Sequence, residues 1–387
     1  MKLFYVTNAR LPTEKAHGLA TVKLCAAFAR QGVAVTIFAP WRINPLRGDL
    51  YQYYGVERNF RICYLPSLDL LWLGFGERFF FLVQLFSFSL LAALWLFLRY
   101  GLSRGLRDAV VFSHDHIPLF LVSFFHRRIF YDAHHYPEHT ILYTRVLRRA
   151  VGVAVQTKWK AAALENDFGV PAGRIVYWPN GTDSECFAIP VGQGEARTRL
   201  GLPRDTKVVL YSGSLQHWKG VDTLIAAAKY FPADAVVYIV GGGAAEVAAL
   251  QLKAESQKLK AVFVGQRPWQ EIPVWLKAAD VLVLPNTGRE KVSRFYTSPM
   301  KLFEYMAAGR PIVASDIPSI REIVDETMVF FATADDPRSF ADVIRQVLTR
   351  PEEGVRRAER ATRASRTYTW DVRAGNILAK LSAALVP

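Results

Sequence analysis

The chain is short of cysteine: three in 387 residues, Cys25, Cys63 and Cys186, odd in number and widely spaced. That pattern excludes a disulfide framework and a cysteine-based zinc site, and it points to a reducing compartment. Acidic residues are also scarce, 34 Asp plus Glu against 48 Lys plus Arg, for a formal net charge of +14. Such a surplus draws phosphate-bearing substrates, an acidic membrane face or nucleic acid. No nucleic-acid module is recognisable, so nucleic acid is not an expected partner. The opening MKLFYVTNAR turns polar after one short apolar run and lacks the long apolar core of a secretion signal, so it reads as a first strand.

What is present is a large apolar inventory. At 51% hydrophobic and 13% aromatic the chain is neither disordered nor fibrous, and it has apolar residues to spare for a surface besides its cores. Its length suits two domains. Strand-like runs alternate with helical stretches: LFYV, VAVTIFA, RICYL, VVFS, RIFYDA, VAVQ and IVYW, then VVLYSG, AVVYIVGGG, AVFVG, VLVLP, PIVAS and MVFFA. Alternation of this kind predicts α/β architecture with parallel sheets covered by helices, here two Rossmann-type domains in tandem. The expected divisions are residues 1–187, 194–368 and a final helix, 369–387, packing back on the first domain, with Pro190, Gly192 and Gly194 marking the linker. Ligands in open α/β sheets bind beyond the carboxyl ends of the strands, so two facing sheets would place the site in a cleft.

One stretch resists a wholly soluble reading. Phe79 to Leu98, within a helix expected over about 77–100, has the length and apolarity of a membrane span. Strands of one sheet are predicted on both sides of it, and a single crossing would split that sheet across the bilayer. The helix is therefore either buried in the protein or docked in a membrane interface, where Arg78, Arg99, Arg104 and Arg107 would meet anionic head groups and Trp72 and Trp95 would anchor.

The segment TSPMKLFEYMAAGRPIVASD, Thr297 to Asp316, carries most of the chemistry. Ser298 is positioned to cap a helix and Pro299 to occupy its first position, where no amide hydrogen is needed. The amides that follow, near Lys301 and Leu302, with the positive end of the helix dipole, form a seat for phosphate. Glu304, one turn further, would repel a phosphate and suits a neutral diol such as a ribose. A solvated Lys301–Glu304 pair is the simpler alternative. Gly309 and Pro311 stop the helix.

Taken in order, several segments resemble the retaining glycosyltransferases of family 4, which have the two-domain GT-B fold. They are PTEKAHG at Pro12–Gly18, YDAHHYPE at Tyr131–Glu138, VYWPNGTDSECF at Val176–Phe187, LYSGSLQHWKG at Leu210–Gly220, IVGGG at Ile239–Gly243, ADVLVLPN at Ala279–Asn286 and the SPMKLFEYMAAGRPIVASD segment. The resemblance implies that amides of the Ser298, Pro299, Met300, Lys301 and Leu302 stretch hold the donor phosphates and that Glu304 holds the nucleotide ribose. It further implies that Lys219 bridges the diphosphate, stabilising charge as the sugar leaves. Gly18 would let the backbone approach the phosphates, unless it is only a helix-entry turn. His134 would contact the transferred sugar, with His135 an adjacent alternative. Arg267 would flank the nucleobase or stand as an exposed loop arginine. His114, Asp115 and His116 have a spacing that could suggest a metal site, but the family works without one, so no metal and no cofactor is expected.

Two positions depart from the family pattern. Tyr296 stands where many members carry a second acid, and Ser214 follows Gly213 where an arginine is usual. A subgroup with a tSPxKLFEYMA pattern resembles this chain in the first respect, and Lys291 or Arg294 would then help Lys219 with phosphate charge. The resemblance implies transfer from a nucleotide-diphosphate sugar to a hydroxyl, with retention, by front-face displacement in which the departing phosphate oxygen takes the acceptor proton. The apolar helix and positive charge add an expectation of a glycan or lipid-linked acceptor at the cytoplasmic membrane face, the protein being peripherally attached. A nucleotide-sugar epimerase or sugar phosphorylase on the same fold, or a degenerate nucleotide-binding scaffold, are the alternatives.

Overall fold

The computed structural model describes all residues except 47, 74, 102–107 and 386–387. Arg104 and Arg107, assigned above to a lipid-facing helix end, lie outside the described residues. The chain divides into two compact units, Met1–Pro179 joined by the segment from Trp370, and Asn180–Thr369.

In the first unit, β1 (Lys2–Val6), β2 (Ala34–Pro40), β3 (Arg61–Leu65), β4 (Ala109–Ser113), β5 (Ile129–Asp132), β6 (Gly152–Val155) and β7 (Ile175–Tyr177) form one sheet in the order β3-β2-β1-β4-β5-β6-β7. Every pairing is parallel, with Lys2–Val6 in register against Ala34–Phe38 on one side and Lys2–Tyr5 against Ala109–Phe112 on the other. The alternation of β side chains sends Phe4 and Val6 to one face, where Phe88, Leu119, Val146 and Leu164 from four helices meet them. On the other face Phe28 of the Ala16–Arg30 helix packs edge-on against Phe112, and the Trp370–Leu385 helix lies beside it. Arg30 clasps Asp371 through two bonds of 2.9 and 3.0 Å, and Gln31 donates to the Asp371 carbonyl at 2.7 Å.

The second unit repeats the plan with β8 (Lys207–Ser212), β9 (Ala235–Val240), β10 (Ala261–Gly265), β11 (Val281–Leu284), β12 (Ile312–Ser315) and β13 (Phe330–Ala332), ordered β10-β9-β8-β11-β12-β13 and again all parallel. The runs that signalled strands are those that became strands, because a strand buried on both faces reads as an unbroken apolar run.

The unit boundary falls earlier than the glycine- and proline-marked linker. Residues 180–187 join the second unit because Asn180 bonds to Ser298, the Thr182 amide to the Tyr368 carbonyl at 2.9 Å and the Ser184 hydroxyl to the Ser365 carbonyl at 3.2 Å, while Phe187 enters the second core. Gln193 and Arg197 then tie the supposed linker to Ala278, Ala279 and Asp280.

The Glu77–Leu96 helix, continued by a wider turn to Gly101, is not a core helix: about a third of its apolar window is buried, 33%. Two polar residues in its middle, Gln84 and Ser89, face inward. Gln84 exchanges two amide hydrogen bonds with Asn8, at 3.1 and 2.9 Å, and Ser89 is fully enclosed, whereas Phe79, Phe86 and Leu90 are 65%, 51% and 60% exposed. Trp72 and Phe75 just before it, and Trp41 and Ile43 after β2, are exposed as well, and the Phe75 ring lies 5.6 Å from that of Phe80.

Candidate functional site

Apart from Arg267, the residues singled out in the second unit follow the carboxyl ends of β8 and β11. Chain direction there is set by glycines in conformations other residues avoid. Gly213 has φ 142° and a Cβ would stand 1.7 Å from Lys301 Cε, so the loop after β8 closes directly over that lysine. At Gly220 (φ 67°) a Cβ would meet the Pro285 carbonyl at 2.0 Å, which brings the Lys219 turn against the loop after β11. The Thr287 amide completes the join by donating to the Trp218 carbonyl at 3.3 Å.

Lys301 sits in the first turn of the Met300–Ala308 helix, with Nζ donating to the Tyr211 hydroxyl at 2.6 Å and lying 4.5 Å from the centre of that ring. Tyr211 in turn donates to the Ser214 carbonyl at 2.6 Å. Burial pulls Lys301 down to about 7, with Glu304 acting the other way. Lys219 also lies well below the usual lysine range, through burial and then the Lys301 charge, and its Nζ rests 3.4 Å from the Trp218 ring centre. Glu304, one helical turn beyond Lys301, is raised to about 7 by burial, with Lys301 opposing and Asp183 adding to the rise. Two cations that repel one another beside a helix start make a seat for a multiply charged anion.

The helix start differs from expectation. Met300, not Pro299, is its first residue; Pro299 is the N-cap, and Ser298 makes no cap bond. The Ser298 hydroxyl instead accepts the Asn180 amide at 3.0 Å, and its carbonyl accepts Asn180 Nδ2 at 2.9 Å. The Leu302 amide is spent on the Pro299 carbonyl at 3.0 Å, so Met300 and Lys301 present the amides that precede the first helical bond. Arg267 is exposed in the loop after β10, at the sheet edge and two strands from β8. Lys291 and Arg294 are exposed, and Tyr296 is half-buried. His217 Nδ1 meets Glu290 at 2.8 Å, fastening the Lys219 turn to the loop carrying Lys291.

In the first unit His134 follows β5, and its Nε2 meets Asp132 Oδ2 at 3.1 Å. Asp132 is fully buried and held far below the ordinary carboxylate range, against the pull of burial, by Arg373 first and then by His134. Its other oxygen accepts Arg373 Nη2 and Gln156 Nε2, both at 2.7 Å. Arg373 Nη1 donates to the carbonyls of Trp178 and Pro179. Burial lowers His134 itself, with Asp132 opposing. The ring of His114 lies 5.5 Å from that of His134, while His135 is turned out to solvent and His116 stacks on Tyr143 at 3.9 Å. Among the described residues no group of three or more His, Cys, Asp or Glu is arranged to hold a metal ion. Gly18 is a packing position: a Cβ there would collide with Thr13 at 2.2 Å and the Tyr54 hydroxyl at 2.8 Å, so the space its absent side chain leaves is filled from within the unit.

Tyr211, Asp132, Gln156 and Arg373 were not singled out from sequence. Tyr211 is the last residue but one of the strand that precedes Gly213, a usable signal. Arg373, more than 200 residues from Asp132, left none.

Two parallel-sheet α/β units with these carboxyl-end sites define the GT-B class of fold. Solved structures agree: sucrose-phosphate synthase from Thermosynechococcus elongatus superposes with a TM-score of 0.78 at 21% identity over 99% of both chains. Anabaena HepE in complex with UDP-glucose gives 0.73 at 20% identity, over 99% of this chain and 100% of that one. A family profile described as Glycosyltransferase Family 4 matches residues 19–185, and one described as Glycosyl transferases group 1 matches residues 206–350. The chain belongs to glycosyltransferase family 4. Curated relatives include a D-inositol 3-phosphate glycosyltransferase of Xylanimonas cellulosilytica, 29% identical over 60% of this chain and 57% of the relative. A phosphatidyl-myo-inositol mannosyltransferase of Mycobacterium tuberculosis is 30% identical over 61% of this chain and 60% of the relative. The matches thus span less than two thirds of those relatives' lengths.

Proposed function

We propose that the protein is a retaining glycosyltransferase that moves a sugar from a nucleotide-diphosphate donor to a hydroxyl of a membrane-associated glycan or lipid-linked acceptor. The observation that carries this reading is the pairing of Lys219 and Lys301 beside the amides of Met300 and Lys301. An anion there would relieve the repulsion of two partly buried cations, and a diphosphate is the anion whose two charged groups suit two lysines and a helix start. Glu304, beyond the phosphate seat, would accept hydrogen bonds from a ribose diol. The HepE structures carry UDP and UDP-glucose, which supports a nucleotide sugar as donor class.

No side chain in the second-unit site is placed as an obvious nucleophile. The chain's contribution to the reaction would be electrostatic: Lys219, Lys301 and the helix start stabilise negative charge as the sugar–phosphate bond breaks, and the freed phosphate oxygen takes the acceptor proton. His134, its Nε2 engaged by Asp132, would contact the transferred sugar. The exposed apolar face of the Glu77–Leu96 helix, with Trp41, Ile43, Trp72 and Phe75, supports attachment in a membrane interface, and the proposal places that interface on the cytoplasmic side. The test is release of nucleoside diphosphate from a panel of nucleotide sugars with lipid and glycan acceptors. Turnover abolished by Lys219→Met supports the reading, and a panel without turnover in the presence of vesicles contradicts it.

A further inference from the structure

The donor and acceptor groups discussed so far lie at the carboxyl ends of the strands. The opposite, amino-terminal edge of the first sheet carries a pocket of about 490 Å³ for which the proposed reaction has no use. It forms where three strands begin. Arg127 lies just before β5, Ala150 and Val151 just before β6, and Gly173 and Arg174 just before β7. The ends of two helices close it, contributing Arg148 and Arg149 from Ile141–Arg149, and Lys380 from Trp370–Leu385.

Five of the lining residues are cations and none is acidic. Among the described residues none of the five forms an ion pair with a carboxylate, although sixteen other arginine, lysine and histidine contacts of that kind span both units. Arg174 Nη1 donates to the Arg148 carbonyl at 3.2 Å, which holds the two guanidinium-bearing chains side by side. Cations at a helix C-terminus complement its dipole, and that alone would account for Arg148 and Arg149. It does not account for Arg127, which ends no helix, for Arg174, which closes only the single 3-10 turn Ala172–Arg174, or for the pocket that all five line. The volume falls within the range of small-ligand pockets, and guanidinium forks match phosphate oxygens two at a time.

We propose that this pocket binds a phosphate-bearing ligand of at least two negative charges. The same chemistry has two sources. A soluble phosphate ester is one. The other is a phospholipid head group, because the pocket borders the exposed apolar surface. Phe97, at the end of the apolar helix, packs on Phe125 at 5.3 Å, and Arg145, one turn before Arg148, lies 3.8 Å over the exposed ring of Phe124. The inference stands on the first unit alone and does not depend on the transferase reading.

The test has two arms. Inorganic pyrophosphate is titrated calorimetrically into Lys219→Met/Lys301→Met protein, which silences the second-unit seat, and into the same protein carrying Arg148→Gln/Arg174→Gln. Vesicles of phosphatidylcholine, with and without phosphatidic acid, are floated with the Arg148→Gln/Arg174→Gln protein and the unaltered chain. A loss of pyrophosphate affinity of about ten-fold or more identifies a soluble ligand. Selective loss of retention on acidic vesicles, with retention on neutral ones kept, identifies a head group. Arg127→Gln/Lys380→Gln serves if the first pair fails to fold. The proposal is overturned if neither arm responds, or if Arg356→Gln/Arg363→Gln, the same charge removed from exposed sites in the second unit, weakens binding equally.

Discussion

Replacing Arg373 by methionine tests the buried network under His134. Arg373 and Asp132 are 1% and 0% exposed, joined at 2.7 Å, and the guanidinium also satisfies two backbone carbonyls. Methionine keeps most of the volume but leaves Asp132 charged, enclosed and supported only by Gln156 and His134. Breaking one side of such a pair costs about 3–5 kcal/mol, which for a unit of this size lowers its melting temperature by roughly 6–20 °C. Scanning calorimetry reads the shift. Because the Asp132 pKa is depressed in the folded chain, its contribution is complete above the unfolded carboxylate value of about 4 and is lost as pH falls through the folded value. The unaltered protein should therefore lose stability in acid more steeply than the variant. Asp132→Asn/Arg373→Met removes the stranded charge and should recover part of the loss. A single-variant cost below about 1 kcal/mol, or a double variant no better than the single, would refute the claim that this pair is a coupled buried ion pair.

Lys301, held at about 7, should gain charge when diphosphate binds, so nucleoside-diphosphate affinity falls as pH rises through about 7, and Lys301→Met flattens that profile. The same two groups shape stability. Glu304, raised to about 7, makes stability fall between about pH 4.3 and 7, and Lys301 makes it rise from about 7 toward 10.4, so denaturation midpoints across pH should show a shallow minimum near neutrality. Gly213→Ala puts a methyl 1.7 Å from Lys301 Cε at φ 142°; it should destabilise by about 1–3 kcal/mol and lower nucleotide affinity, both read in one thermal-shift titration. Phe79→Ser/Phe86→Ser/Leu90→Ser alters side chains that are half or more exposed, so it should leave melting unchanged within about 1 kcal/mol while reducing flotation with neutral vesicles.

The fold was legible because parallel strands covered on both faces read as apolar runs, and all thirteen runs named became strands in two sheets. The phosphate seat was legible in part. Lys301, Glu304 and Gly213 lie where a local motif places them, since helix starts and strand-end turns are set by nearby residues. Ser298 was misjudged because its hydroxyl is claimed by Asn180, 118 residues away, and no local pattern records that bond. The boundary slipped for the same reason: Pro190, Gly192 and Gly194 look like a linker, but long-range bonds from Asn180 through Ser184 bind the preceding segment to the second unit. Composition does not tell which face of the apolar helix turns inward, and the structure shows that the face carrying Gln84 and Ser89 does.

The most direct measurement is calorimetric titration of nucleoside diphosphates into the unaltered chain and into Lys301→Met. At least one nucleoside diphosphate should bind the unaltered chain, with an affinity that drops by about 10–100-fold in the variant, the worth of a charge-assisted bond to a phosphate oxygen. Equal affinity in both proteins, or no binding of any base, would contradict the account.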